Sequence, residues 1–179
     1  MRPHTNRLPA FSIGATMIEI EFNLSDMHDE FGEILRRIMN PVPLMAGIAQ
    51  ELVAEAEEQF ESESGPNGKW AELKVSTIEQ RQKTRNWPGK ILQVKGDLAS
   101  SLHGFHSSHE AGVRAGSGPS DKYAAIHQLG SDARRGHKSK IPARPFLPFI
   151  LMGNEVRLSD SALDSIVEMT RYYVNGNLI

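Results

Sequence analysis

The sequence predicts an α+β fold: a small antiparallel sheet with packed amphipathic helices, in a single domain with an N-terminal arm and a C-terminal helix. Three observations predict it. Long stretches toward both ends of the chain carry apolar residues at helical spacing. Between them lie short extended segments bounded by glycine and polar turns. The order helix, hairpin, helix, with few strands, belongs to a segregated α+β arrangement and not to an alternating α/β one.

The elements follow in order. Met17–Asn23 alternates apolar and charged residues and reads as a half-buried strand. Met17 also resembles a natural start, which leaves 1–16 as an extension or an arm and 17–179 as the domain. With Pro3, Pro9 and Gly14 and few apolar groups, 1–16 is not expected to fold alone. Ser25 or Asp26 can cap a helix beginning near Met27, with Met27, Phe31, Ile34, Leu35 and Ile38 on one face. Asn40-Pro-Val-Pro43 breaks it. A second helix runs from about Leu44 to Phe60, with an apolar stripe of Leu44, Ile48, Leu52, Ala56 and Phe60. Its other side carries Glu51, Glu55, Glu57 and Glu58. Ser62–Gly68 is a turn, and a helical turn is expected near Ser76–Lys83. Leu102–Phe105 and Gly112–Ala115 read as a hairpin turning near Ser107–Glu110. Asp121–Leu129 reads as a short helix, anchored to the hairpin by Ile126 and Leu129 and closed by Gly130 as a left-handed cap. Ile141–Pro148 is extended and punctuated by proline, with Phe146 placed to close the sheet. The last helix runs from Asp160 to about Val174, with Leu163, Ile166, Val167, Thr170 and Val174 on its buried face.

Composition narrows the function classes. The chain has 179 residues, 39% hydrophobic and 23% charged, which suits one globular domain. No apolar run is long enough to span a membrane, and no signal peptide is apparent. With no cysteine, disulfides, thiolate metal sites and cysteine nucleophiles are out, and a reducing cytoplasm is the compatible setting. The net charge of −2 conceals a segregation. Residues 1–63 hold 4 Lys/Arg against 12 Asp/Glu, or −8; residues 64–149 hold 14 against 6, or +8; the remainder holds 2 against 4. Such a split suits self-association of acidic and basic faces, or a basic surface for nucleic acid, or two solvated faces.

Candidate chemistry is sparse. His103, His106 and His109 are spaced three apart, but on a hairpin an odd separation turns neighbours to opposite faces, so no metal site is expected. No P-loop, dinucleotide fingerprint or nucleophile elbow occurs. No catalytic set and no cofactor site is predicted. The basic segment Arg134, Arg135, Lys138, Lys140 and Arg144 can be a solvated loop, a contact to the Glu51, Glu55 and Glu58 face of a neighbour, or a contact to phosphates. Aromatic residues do not interleave it, so base stacking is not indicated.

Three stretches together resemble one family. They are Phe60 with Gly65-Pro-Asn-Gly-Lys-Trp-Ala-Glu-Leu73 and Thr77; Leu92 with Gly96-Asp-Leu98 and Ser101; and Tyr123-Ala-Ala-Ile-His-Gln-Leu-Gly130 followed by Ile141-Pro-Ala-Arg-Pro-Phe-Leu147. Their order and spacing are similar to the phage virion morphogenesis, or tail-completion, family of Mu gpG-like proteins, related to phage neck proteins. The resemblance covers about residues 44–151. It implies a structural assembly protein without enzymatic activity: a neck or tail-completion subunit, acting as tail terminator or in head–tail joining and forming a homo-oligomeric ring. It implies other neck or tail proteins as partners, non-specific contact with genomic DNA as an option, no membrane partner, and a place in the virion after assembly in the host cytoplasm. The alternatives are a head (capsid) assembly factor and a DNA-contacting protein of the head–tail channel. Trp70, Leu98, Tyr123, His127 and Gly130 become structural motif positions. His127 is expected to make a structural hydrogen bond, Arg144 to pair with a carboxylate, and Phe146 to anchor the core or an interface.

Overall fold

The computed structural model describes residues 24–131, 140–153 and 155–176. The expected strand at 17–23, the boundary at 16/17, and Arg134, Arg135 and Lys138 lie outside the described residues. The chain divides into two units, residues 1–39 and 40–179. The described part of the first is α1, Leu24–Met39. It starts earlier than the capping signal implied, with Ser25 and Asp26 already inside the helix. Arg36 and Arg37 occupy its last turn, where cations complement the helix dipole. Glu33 accepts from Arg36 at 2.5 Å, and that hydrogen bond, more than the charge behind it, holds the Glu33 carboxyl below its ordinary range. Met27, Phe31, Leu35 and Ile38 recur on one face and are exposed.

The second unit is α+β. Its spine is α2, Val42–Ser62. The break after α1 is confined to Asn40-Pro41, because Pro43 sits in the first turn of α2, where its missing N–H has no helical partner to lose. Then come strands β1 (Ser64–Gly65) and β2 (Gly68–Lys69), α3 (Val75–Lys83), strands β3 (His103–His106) and β4 (Ala111–Arg114), a 3₁₀ turn, α4 (Ala124–Leu129), strands β5 (Phe149–Met152) and β6 (Glu155–Leu158), and α5 (Asp160–Val174). The strands do not form one sheet. Among the described residues they make three separate antiparallel hairpins.

Two elements depart from expectation for the same reason. The segment 141–148 is not a strand; among the described residues its one ladder contact is the bridge Ser131–Ile141. Pro142, Pro145 and Pro148 remove the donors a strand needs. The hairpin forms just after the last proline, as β5–β6, where no strand was expected.

Two apolar clusters organise the unit. One joins Phe60, Trp70, Ile91, Leu98, Ala124 and Phe146. The other joins Leu44, Ile48 and Leu52 of α2 to Ala162 and Tyr173 of α5, with Ala111 and Val113 of β4 against it. The α5 face is rotated from the expected one: Ala162 and Tyr173 are buried, while Leu163 and Val167 are 48% exposed. Ser159 caps α5 by accepting from the Ala162 N–H and donates to Glu55 on α2. Glu55 is therefore engaged by α5 and is not simply a solvated charge; it accepts from Ser161 as well.

Candidate functional site

The residues of the three motif stretches converge. Phe60 meets Trp70 edge-on at 5.6 Å and Phe146 at 5.3 Å between ring centroids. The turn at Pro66-Asn67 folds β2 back so that Trp70 reaches the end of α2. Its indole Nε1 donates to the Pro145 carbonyl at 2.7 Å. Gly65 is required there, because a Cβ at that position would stand 2.2 Å from the same carbonyl oxygen. Leu98 and Phe146 are each 1% exposed.

The proline-rich segment lacks ladder bonds and is held by other groups. Gln128, buried on α4, accepts from the Phe146 and Leu147 N–H groups at 2.9 and 3.0 Å. Arg144 donates through its backbone N–H to the His127 carbonyl, through Nε to the Ala71 carbonyl at 2.8 Å and through Nη2 to the Glu72 carbonyl at 3.0 Å. The expected carboxylate partner is replaced by carbonyls, since the chain after Trp70 runs directly beneath the guanidinium. Ser101 ties the second stretch, donating to the Leu98 carbonyl and accepting from the Gly116 N–H.

Beside this core lies a pocket of about 620 Å³. Its walls come from α3 and the turn before it (Leu73, Lys74, Thr77, Arg81), the 92–97 loop, Pro119, Tyr123 and His127 of the 3₁₀ turn and α4, and Lys140–Pro142 with Arg144. Lys74, Arg81, Lys95, Lys140 and Arg144 face it, against Asp97 as the carboxylate among its described lining. Leu73, Leu92, Val94 and Ile141 alternate with those charges. Burial, and then the charge of Arg81, lowers the Arg144 pKa; burial also lowers that of Arg81, opposed by Glu63. His127 is pushed below its usual range by burial first and Arg144 second. Tyr123 is raised by burial and by Asp97.

Several expectations are corrected here. His127 makes no side-chain hydrogen bond through Nδ1, which is buried and without a partner; its ring packs edge-on against Tyr123 at 5.7 Å. Leu129 is 52% exposed and belongs to neither apolar cluster; Ala124 and Gln128 are the buried face of α4. Gly130 has positive φ but ψ 174, so it ends the helix in an extended turn and not in the left-handed cap conformation. Of the two roles expected for Phe146, core or interface, the core is the one found, with the side chain 1% exposed. Lys140 is exposed at the pocket, and Glu51, Glu55 and Glu58 share a separate acidic groove on α2. Sequence reasoning missed Arg81 and Gln128. Gln128 gave a usable signal, a polar residue on the inner side of a short amphipathic helix; Arg81 gave none, because its burial depends on the 90–97 loop folding over it.

Among the described residues no group of three metal-ligating side chains gathers, and no helix is long and apolar enough to cross a membrane. Residues 22–174 match the family model described as the phage virion morphogenesis family. The chain is similar to "Mu-like prophage FluMu G protein 2" of Haemophilus influenzae, at 34% identity over 132 residues, covering 73% of this chain and 83% of that protein. It is also similar to "Putative capsid assembly protein G" of Escherichia phage Mu, at 32% identity over 122 residues, covering 66% of this chain and 73% of that protein. No solved structure matches.

Proposed function

This chain belongs to the phage virion morphogenesis family, and on that premise we propose that it is a structural subunit of the neck or tail-completion region of a phage or prophage particle, assembling as a ring. A role in phage particle assembly follows from the family itself. The observation that carries the finer reading is the segregation of charge within one folded unit. A basic pocket stands on one set of elements and an acidic groove on α2. Two distinct complementary patches on one chain support head-to-tail contacts, and such contacts close into rings when the rotation allows. The subunit then does its work by binding neighbours, with other neck or tail proteins above and below it.

A second reading has its own observation. The phage Mu relative is named a putative capsid assembly protein, which favours a factor acting during head assembly. Finished particles separate the two. A neck subunit remains in purified virions at a fixed, small copy number measured by quantitative mass spectrometry. A head assembly factor is needed for particles and is absent from them. A light-scattering mass of several subunits for the purified chain supports the ring; a chain that stays monomeric at high concentration and is missing from virions overturns it.

A further inference from the structure

We propose that the basic pocket receives the glutamate face of α2, centred on Glu51 and Glu58, from a second copy of this chain. The proposal deepens the ring reading and rests on it. Three observations carry it.

The first is uncompensated charge. Arg144 is 6% and Arg81 9% exposed, yet neither forms an ion pair with a carboxylate among the described residues. Their donors go to the carbonyls of Ala71, Glu72 and Lys90. Carbonyls orient a guanidinium without cancelling its charge, and a desolvated charge favours a site where an anion can join it. Glu63 acts on Arg81 at longer range, but it forms no ion pair with it and accepts the Ile91 N–H. His127 Nδ1, buried at the same pocket without a partner, is a further unsatisfied polar atom there.

The second is composition of the wall. Five cationic side chains face Asp97, and Leu73, Leu92, Val94 and Ile141 lie between them. Glutamate offers methylenes to those apolar side chains as well as a carboxylate. A nucleic-acid backbone offers charge alone and favours an open basic stripe with aromatic platforms; among the described lining there is no Phe or Trp, and the Tyr123 and His127 rings pack edge-on against each other.

The third is the complement on the same chain. Helix α2 contains Glu51, Glu55, Glu57, Glu58 and Glu61 and no Lys or Arg. Glu55 is engaged by Ser159 and Ser161, and Glu61 by Lys90. Glu51 and Glu58 form no ion pair among the described residues and line one groove. Seven residues apart, they stand on one helix face about 10 Å from each other.

A charge swap tests this, read by light scattering and native mass spectrometry of the full chain, with melts to verify folding. Lys74→Glu with Lys95→Glu alters two exposed pocket residues and is expected to weaken association by about tenfold or more. Glu51→Lys with Glu58→Lys is expected to do the same, and the chain carrying all four is expected to reassociate. Should the paired α2 variant fail to fold, Glu58→Lys alone, at an exposed position, replaces it on both sides of the swap. A wild-type multimer indifferent to pocket reversal overturns the pocket assignment and leaves the ring reading standing. A wild-type monomer overturns both. Dissociation by pocket reversal that the swap does not restore shows that the occupant is not α2 and overturns the proposal. A short DNA duplex is titrated in parallel; salt-dependent binding that disappears in the Lys74→Glu/Lys95→Glu chain assigns the pocket to phosphate instead.

Discussion

Two apolar clusters meet on α2, and they are held together by different means. Around Leu52, helix packs on helix: Leu44, Ile48 and Leu52 against Ala162 and Tyr173, with the β3–β4 hairpin alongside. Most of that contact is between regular elements whose backbone groups are satisfied within themselves. Around Phe146 the walls are loops, and the aromatic contacts are accompanied by a set of long-range hydrogen bonds to backbone. Trp70 binds the Pro145 carbonyl, Gln128 holds the Phe146 and Leu147 amides, and Arg144 holds the Ala71 and Glu72 carbonyls. Irregular backbone that is buried needs polar partners. A loop-built core therefore holds buried backbone with polar side chains, whereas the helix-built core has its polar ties at the helix ends, from Ser159 and Ser161 to Glu55 and from the Tyr173 hydroxyl to the Asn40 carbonyl.

The largest effect is expected from Phe146→Ala. It removes a side chain that is 1% exposed and that touches Phe60, at a cost of about 3–5 kcal/mol. That is a large part of the roughly 5–15 kcal/mol available to a domain. Denaturant titration measures it. A midpoint close to the parent's breaks the claim that this cluster is a core at all. Leu52→Ala should cost about 2–5 kcal/mol by the same logic. The sharper comparison is between polar changes. Gln128→Leu leaves two amides in the Phe146 cluster without an acceptor and is expected to cost about 1–3 kcal/mol per unsatisfied group. Ser159→Ala, beside the other cluster, loses a helix cap for about 1 kcal/mol and its hydrogen bond to Glu55 for about 0.5–1.5 kcal/mol more. If the two polar variants melt alike, the contrast between the cores fails.

The smallest effect is a pH dependence confined to the loop-built side. His127 has a lowered pKa in the folded chain, through burial and then Arg144. The unfolded chain binds that proton more readily, so the His127 contribution is present at neutral pH and is lost as pH falls below about 6.5. His127→Gln should flatten the fall in melting temperature between about pH 7 and pH 5 relative to the parent. Equal slopes for the two chains would show that His127 is not held neutral.

The helix-built half was the more legible. The four-residue recurrence from Leu44 to Phe60 gave α2 to within two residues at each end, and α5 was placed from Asp160 to Val174. Periodicity locates a helix but not the partner face, so the expected face holds Leu163 and Val167, which are exposed, and leaves out Ala162 and Tyr173, which are buried. The loop-built half was legible as a set of residues and not as a mechanism. Trp70, Leu98 and Phe146 do lie together, but nothing local marks Arg144 as a donor to carbonyls some 70 positions away in sequence. The pairing of the strands into separate hairpins is not legible in the sequence for a related reason. Strands of two to four residues carry too little alternation to show which strands pair into one sheet.

Helix α2 is a wall of both clusters, since Phe60 enters one while Leu44, Ile48 and Leu52 enter the other. Neither core can open without exposing part of the same helix. The unit is thereby coupled into one cooperative transition, and half-open forms are kept scarce. For a chain with three short hairpins and their unpaired edges, this matters between synthesis and incorporation into a particle. Scarcity of partly open forms keeps those edges from templating aggregates while the subunit waits for its neighbours.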